Sequence, residues 1–321
     1  MFYHCVSRVV DRRFVFGERE RDVFRRVLRQ VEEFCGVRVV TWTILSNHFH
    51  LLVEVPRIPS ERLDDEEILS RCRALYSRAA MEGVRWEYEE ARRSGGRALD
   101  DWRGRYLKRM WDLGEFMKTL KQKFTLWINR EHGRVGTLWE SRYKSAAVEG
   151  SWFALVRVAA YIDLNAVRAG LVDDPVDYPW CGYAEAAGGD SRARKGLARA
   201  MADLKPDATW RDVGPRYRKI LFGIGEENQG RAGISRGEVA RVWESGGELS
   251  LAQLLRCRVR YFTDGMAVGS VGFVEREFSK ARHAFGARRR SGARKMRGGD
   301  WGGLHVMRAL EREVIVPVRD G

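Results

Sequence analysis

Val37-Arg-Val-Val-Thr-Trp-Thr-Ile-Leu45, Ser46-Asn47 and His48-Phe49-His50-Leu-Leu-Val-Glu-Val-Pro56 read in succession as strand, turn and strand. β-branched and aromatic residues dominate the first arm, and Ser46-Asn47 supplies the turn chemistry that a hairpin requires. Working upstream, Gly36 closes a helix predicted over 17–35, where Val23, Phe24, Val27, Leu28, Val31 and Phe34 recur at helical spacing. Before it, Phe2 to Val10 alternates in the manner of a strand.

Downstream, residues 57–110 are highly charged and helical in composition, with acidic residues at 64–67 and a break at Gly95-Gly96. They read as a helical insertion that carries little chemistry. Leu113 to Arg130 is amphipathic, with Phe116, Leu120, Phe124 and Trp127 on one side. A turn at 132–136 leads to a strand predicted over Trp139–Val148, and Ser151 then caps a helix running through Tyr161 to Ala169, ended by Gly170. The order β-α-β-β-α-β-α predicts an α+β fold, a ferredoxin-like antiparallel sheet with packed helices and one extra helix, closing near Tyr183. The expected domains are therefore 1–183, an Ala- and Gly-rich linker at 184–196, and a basic, mostly helical C-terminal domain at 197–321.

Among 321 residues, 44% are hydrophobic and 32% charged, the balance of a folded soluble protein. No apolar run approaches the ~18 residues of a membrane span. The N-terminal residues lack the pattern of a secretory signal, so a cytoplasmic location without membrane partners is expected. Five scattered cysteines with no C-x-x-C pair read as free thiols. The net charge of +14 is carried mainly by arginine, which points to a polyanionic partner, nucleic acid above all. A charge kept for solubility is the other reading.

On a strand, His48 and His50 project from one face while Phe49 faces the other way, so the pair is either half of a metal site or two ordinary strand histidines. Tyr161 and Asn165 stand four apart on the predicted helix and share a face. The Asn165 amide oxygen could join the imidazoles on a metal. That donor set holds no thiolate, leaves positions open for phosphate oxygens and water, and suits magnesium or manganese better than zinc. Spacing alone favours Tyr161 as a core aromatic beside Leu155, Val158, Ile162 and Leu164.

Three separated segments carry a resemblance: Ser46-Asn-His-Phe-His-Leu-Leu-Val-Glu-Val-Pro56, Gly136-Thr-Leu-Trp-Glu-Ser-Arg-Tyr-Lys-Ser145 and Tyr161-Ile-Asp-Leu-Asn-Ala-Val-Arg-Ala-Gly-Leu-Val172. In this order, over about residues 2 to 183, the chain resembles the REP-associated tyrosine transposases. These are single-tyrosine members of the HUH nuclease superfamily, related to the smallest insertion-sequence transposases. The resemblance implies an HUH nuclease core in which His48 and His50 are the histidine pair, Asn165 the third metal ligand and Tyr161 the nucleophile. It implies a Mg2+- or Mn2+-dependent transposase that cleaves and rejoins hairpin-associated single-stranded DNA through a 5′-phosphotyrosine, acting as a monomer or homodimer. One departure is Ala166, where the family commonly has proline. Arg142 and Lys144, alternate residues of the predicted strand, are candidates for phosphate contact. Arg288, Arg289, Arg290, Arg294, Lys295 and Arg297 form a basic run suited to a DNA clamp. Two other readings stay open: a catalytically silent sequence-specific DNA- or RNA-binding regulator, and a metal-dependent hydrolase that uses water in place of tyrosine.

Overall fold

The computed structural model describes residues 1–61, 63–202, 209–222, 244, 249–307 and 315–316. By its contacts the chain forms two compact units, one of Met1–Val15, Val39–Val53 and Trp139–Gly321, the other of Phe16–Arg38 and Glu54–Leu138. This division cuts across the boundary expected between 183 and 197.

The first unit is built on a sheet whose first four strands are β1 (Phe2–Arg8), β2 (Arg38–Ile44), β3 (His48–Glu54) and β4 (Lys144–Val148). They lie in the order β2-β3-β1-β4, with β1 and β4 antiparallel and Val6 opposite Lys144. This is the order a ferredoxin-like β-α-β-β-α-β chain produces, since each helical connection carries the chain past a neighbouring strand. The connections are α1 (Glu18–Cys35) between β1 and β2, and between β3 and β4 the helices α2 (Asp65–Leu75), α3 (Arg78–Ser94), α4 (Gly96–Leu107) and α5 (Leu113–Glu131). β4 starts at Lys144, later than the predicted Trp139. Arg142 therefore lies outside the strand, and the expected pairing of Arg142 with Lys144 on one strand face does not form.

Beyond β4 the sheet continues into the C-terminal stretch. β6 (Ala267–Gly269) runs parallel to β4, and β8 (His305–Val306) and β7 (Arg294–Lys295) follow antiparallel, while β5 (Arg258–Val259) pairs with β9 (Ile315–Val316) in a separate ribbon. The exposed hydrogen-bonding edge that β4 would otherwise present is thereby covered. The helices of this unit are α6 (Trp152–Asp163), α7 (Asn165–Arg168), α8 (Gly182–Ala187), α9 (Ser191–Ala200), α10 (Trp210–Phe222), α11 (Leu251–Arg256), α12 (Arg260–Asp264) and α13 (Val271–Lys280). The helix predicted from Ser151 to Ala169 is thus divided at Leu164.

One core joins these elements: Leu155, Val158, Tyr161 and Ile162 of α6 share it with Tyr217, Leu254, Leu255, Phe262, Val268, Trp301 and Val306. The stretch 184–196, expected as a linker, is largely helical. Its small residues serve close packing, because a Cβ at Gly196 would fall 2.5 Å from the Val40 carbonyl oxygen. Asp163, fully buried, ties the layers together by accepting from the Thr41 hydroxyl (2.7 Å), the Tyr183 amide (3.1 Å) and the Tyr217 hydroxyl (2.6 Å). Burial outweighs these bonds and pushes its carboxyl up to about 7.

In the second unit α1 packs against α2 and α5, with Phe24 edge-on to both Phe16 and Phe124. The break at Gly95-Gly96 is real: both residues have positive φ, 62° and 47°, which lets α3 end and α4 begin without an intervening loop. No described helix is long and apolar enough to cross a membrane.

Candidate active site

Strands β1 and β3 are neighbours in the sheet, and this brings His4, His48 and His50 together. The His48 and His50 ring centroids are 5.1 Å apart, and His4 stacks on His50 at 5.2 Å with 23° between the planes. Tyr161 stands edge-on to His4 and His50, at 6.3 and 6.4 Å. His48, His50, Tyr161 and Asn165 line one cleft of about 380 Å³ together with Arg8, Arg12, Glu140, Lys144, Arg168, Arg258 and Asp264. The four residues proposed for chemistry thus converge.

The tautomers follow from the hydrogen bonds. His4 Nδ1 lies 2.8 Å from the Phe262 carbonyl oxygen, which only accepts, so this nitrogen carries the proton and His4 Nε2 is an acceptor. His50 Nδ1, 3.0 Å from that Nε2, is accordingly the donor, and the His50 Nε2 lone pair is free. Asn47 does the same for His48. Its amide nitrogen donates to the Arg12 carbonyl (3.0 Å), which assigns its oxygen as acceptor of His48 Nδ1–H (2.7 Å) and leaves the His48 Nε2 lone pair free.

All three imidazoles are held neutral. Burial, aided by Arg168, lowers His4 to about 4, although its bond to Phe262 opposes the shift. Burial, then Arg8, Arg168 and Arg258, lowers His48 to about 4, and burial and the neighbouring imidazoles and arginines hold His50 well below the usual histidine range. Neutral imidazole is the form that ligates metal.

Asn165 donates its amide nitrogen to the Ile162 carbonyl (3.1 Å), leaving the amide oxygen available to the cleft. Two Nε2 lone pairs and one amide oxygen fit a divalent cation that keeps open positions. His4, with both ring nitrogens occupied, does not add to the set. Among the described residues no group of three or more His, Cys, Asp or Glu is arranged to hold a metal, so a metal here would rest on this mixed set.

Tyr161 is buried, and the Arg168 guanidinium lies 3.8 Å from its ring centroid. Arg168 is itself buried, donating to the carbonyls of Leu255 (2.6 Å) and Tyr161 (2.5 Å). The Phe262 ring also packs against Tyr161, at 5.1 Å. Tyr178, another tyrosine near in sequence, has its hydroxyl committed to the Ile44 carbonyl (2.7 Å).

The phosphate candidates divide. Lys144 lines the cleft, paired with Asp264 at 2.7 Å, and Arg142 is exposed over the Tyr143 ring. Arg288, Arg290, Arg294, Lys295 and Arg297 are exposed, but β7, which carries two of them, is the outermost strand, four strand spacings or ~19 Å from β1. Arg289 turns inward, donating to the carbonyls of Ser291, Gly292 and Met307, and holds its own loop together. Sequence reading missed Arg8, Arg12, Asn47, Arg168 and Arg258 on the cleft wall, and His4 behind it. Asn47 and Arg168 lie inside the quoted motifs, and a basic residue flanked by apolar ones in Ala-Val-Arg-Ala was the available signal. Nothing local marks His4 or Arg258, whose neighbours are set by strand order and by the return of the C-terminal stretch.

Among proteins of curated function none matches the chain. A solved structure described as a REP-associated tyrosine transposase bound to a REP hairpin aligns at 14% identity over 59% of this chain and 79% of that one, with a TM-score of 0.36, a superposition too loose to argue from. Residues 1–63, which hold β1, α1, the hairpin and three of the site's histidines, match the family described as transposase IS200 like. The match is confined to these 63 residues.

Proposed function

We propose that this protein is a divalent-metal-dependent transposase that nicks and rejoins single-stranded or hairpin-borne DNA through a covalent 5′-phosphotyrosine at Tyr161. The observation that carries the reading is the pair of histidines, His48 and His50, each pinned at Nδ1 so that both Nε2 lone pairs are free, in the same cleft as Tyr161. A bound Mg2+ or Mn2+, held by His48, His50 and Asn165, would withdraw charge from the scissile phosphate.

The chain's own residues account for the rest. Arg8, Arg12, Lys144 and Arg258 give the cleft a positive wall for phosphate oxygens. A cleft of about 380 Å³ has room for an unpaired nucleotide. Arg168 and Phe262 both pack against the Tyr161 ring, which limits its motion before attack. In the step itself the Tyr161 oxygen loses its proton and bonds to phosphorus, the bond from phosphorus to the 3′ oxygen breaks, and that oxygen takes up a proton to leave as a 3′-hydroxyl. The energy of the phosphodiester stays in the phosphotyrosine for rejoining. The exposed basic run at 288–297 is the candidate surface for a hairpin stem.

The test is incubation with 5′- and 3′-labelled hairpin DNA and Mg2+, with denaturing electrophoresis. Wild type should give a protein adduct on the 5′-phosphate fragment and a free 3′-hydroxyl on the other. Tyr161→Phe should bind DNA and give no adduct. Cleavage without an adduct would favour the hydrolase reading, and binding without cleavage the silent regulator.

A further inference from the structure

The site rests on a segment that lies more than 200 positions away from β1 in sequence. Within Leu255–Asp264, the Leu255 carbonyl holds Arg168 and the Phe262 carbonyl holds His4. The His4 link bears directly on the metal site. His4 is buried and does not itself line the cleft, yet both of its ring nitrogens are used, one on the Phe262 carbonyl and one on His50 Nδ1. A carbonyl cannot donate, so the chain of bonds has one direction: Phe262 fixes which His4 nitrogen is protonated, and His4 fixes which His50 nitrogen is protonated.

We propose that His4 is a positioning residue for the site: anchored by the Phe262 carbonyl, it holds His50 in the tautomer that keeps the Nε2 lone pair free. An apolar residue at position 4 would fill the same space but leave the buried His50 Nδ1–H without an acceptor. His50 would then gain by moving its proton to Nε2, the nitrogen a metal needs. The C-terminal stretch thus reaches His50 through the His4 imidazole. Asn47 gives His48 the same support from within the hairpin, so the two ligands are oriented independently, one locally and one from the far end of the chain. Partners of this kind that orient a ligating histidine are ordinarily worth 10- to 100-fold in metal affinity.

The inference rests on the reading of His50 as a ligand, and the experiment keeps the two apart. Long-range 1H–15N correlation of the histidine rings in the full-length, metal-free protein should show His4 and His50 both protonated at Nδ1. His50 protonated at Nε2 in the wild type would overturn the proposal without any variant. His4→Phe should shift His50 toward the Nε2–H form and weaken Mn2+ binding, followed by electron paramagnetic resonance, 10- to 100-fold, with hairpin binding unchanged. His4→Gln, whose amide has both a donor and an acceptor, should stay within a few-fold of wild type. Wild-type Mn2+ affinity in a folded His4→Phe protein would overturn the proposal. If the tautomers are as expected but the wild type binds no Mn2+, the metal reading fails and the role of His4 in setting the tautomer of His50 stands.

Discussion

Asp163→Asn should make the protein more stable at neutral pH and should gain on wild type steadily as pH rises from 4 to 7. Asp163 is fully buried, and the desolvation of its charge raises the carboxyl from 3.8 to about 7 despite three hydrogen bonds. A folded-state value above the unfolded one means that the native protein holds a proton the unfolded chain has released. The stability this proton contributes is complete below about pH 3.8 and is lost as pH rises through about 7. At 1.36 kcal/mol per pH unit, the interval from 3.8 to about 7 corresponds to ~4 kcal/mol. Against total stabilities of ~5–15 kcal/mol this is a large effect. Asparagine cannot ionise, retains an oxygen for the Thr41 hydroxyl and the Tyr183 amide, and offers the Tyr217 oxygen a donor, as the protonated acid does. Urea titrations of both proteins at half-unit steps from pH 4 to 8 isolate the effect as a difference, since all other carboxylates are shared. The variant should gain on wild type by ~4 kcal/mol over that range, with most of the change below pH 7. A difference constant with pH would mean that Asp163 is ionised in the fold and that the argument from burial is wrong.

His48→Ala or His50→Ala should abolish cleavage and Mn2+ binding while hairpin affinity, which phosphate contacts dominate, holds within a few-fold in a filter-binding assay; undiminished cleavage would remove the ligand assignment. Truncation after residue 196 should yield insoluble or molten protein by circular dichroism and gel filtration. Tyr217, Leu254, Leu255, Phe262, Val268 and Val306 complete the core around α6, and large buried side chains contribute ~1.5–3 kcal/mol each. A soluble, cooperatively melting 1–196 fragment would refute this. Arg288→Ala and Arg290→Ala should each lower the salt slope of hairpin binding by ~1 without loss of thermal stability. Arg289→Ala should lower the melting temperature, since its guanidinium holds three carbonyls.

Local pattern carried the secondary structure of the first half of the chain. The hairpin at 37–56, the helix closed by Gly36 and the ferredoxin-like order were legible because strand and helix periods and turn chemistry are properties of neighbouring residues. The same holds for His48 with His50, two apart on a strand, and for Tyr161 with Asn165, four apart in sequence, which all line the cleft. Periodicity does not see partners. The small residues of 184–196 read as a linker because composition alone cannot distinguish glycine used for freedom from glycine used for contact, and Gly196 is the latter. Arg289 read as a DNA contact because charge is visible in sequence and hydrogen-bonded carbonyls are not.

Tertiary structure decided what lies behind the cleft. His4 meets His50 because the crossover through α1 sets β1 beside β3, and Leu255 and Phe262 reach Arg168 and His4 because the C-terminal stretch returns to the β4 edge. The last two are contacts between main-chain carbonyls and side chains at separations of 87 and 258 residues, and a carbonyl is the same at every position. No residue type announces them, so the tautomer of His50 is a property of the fold.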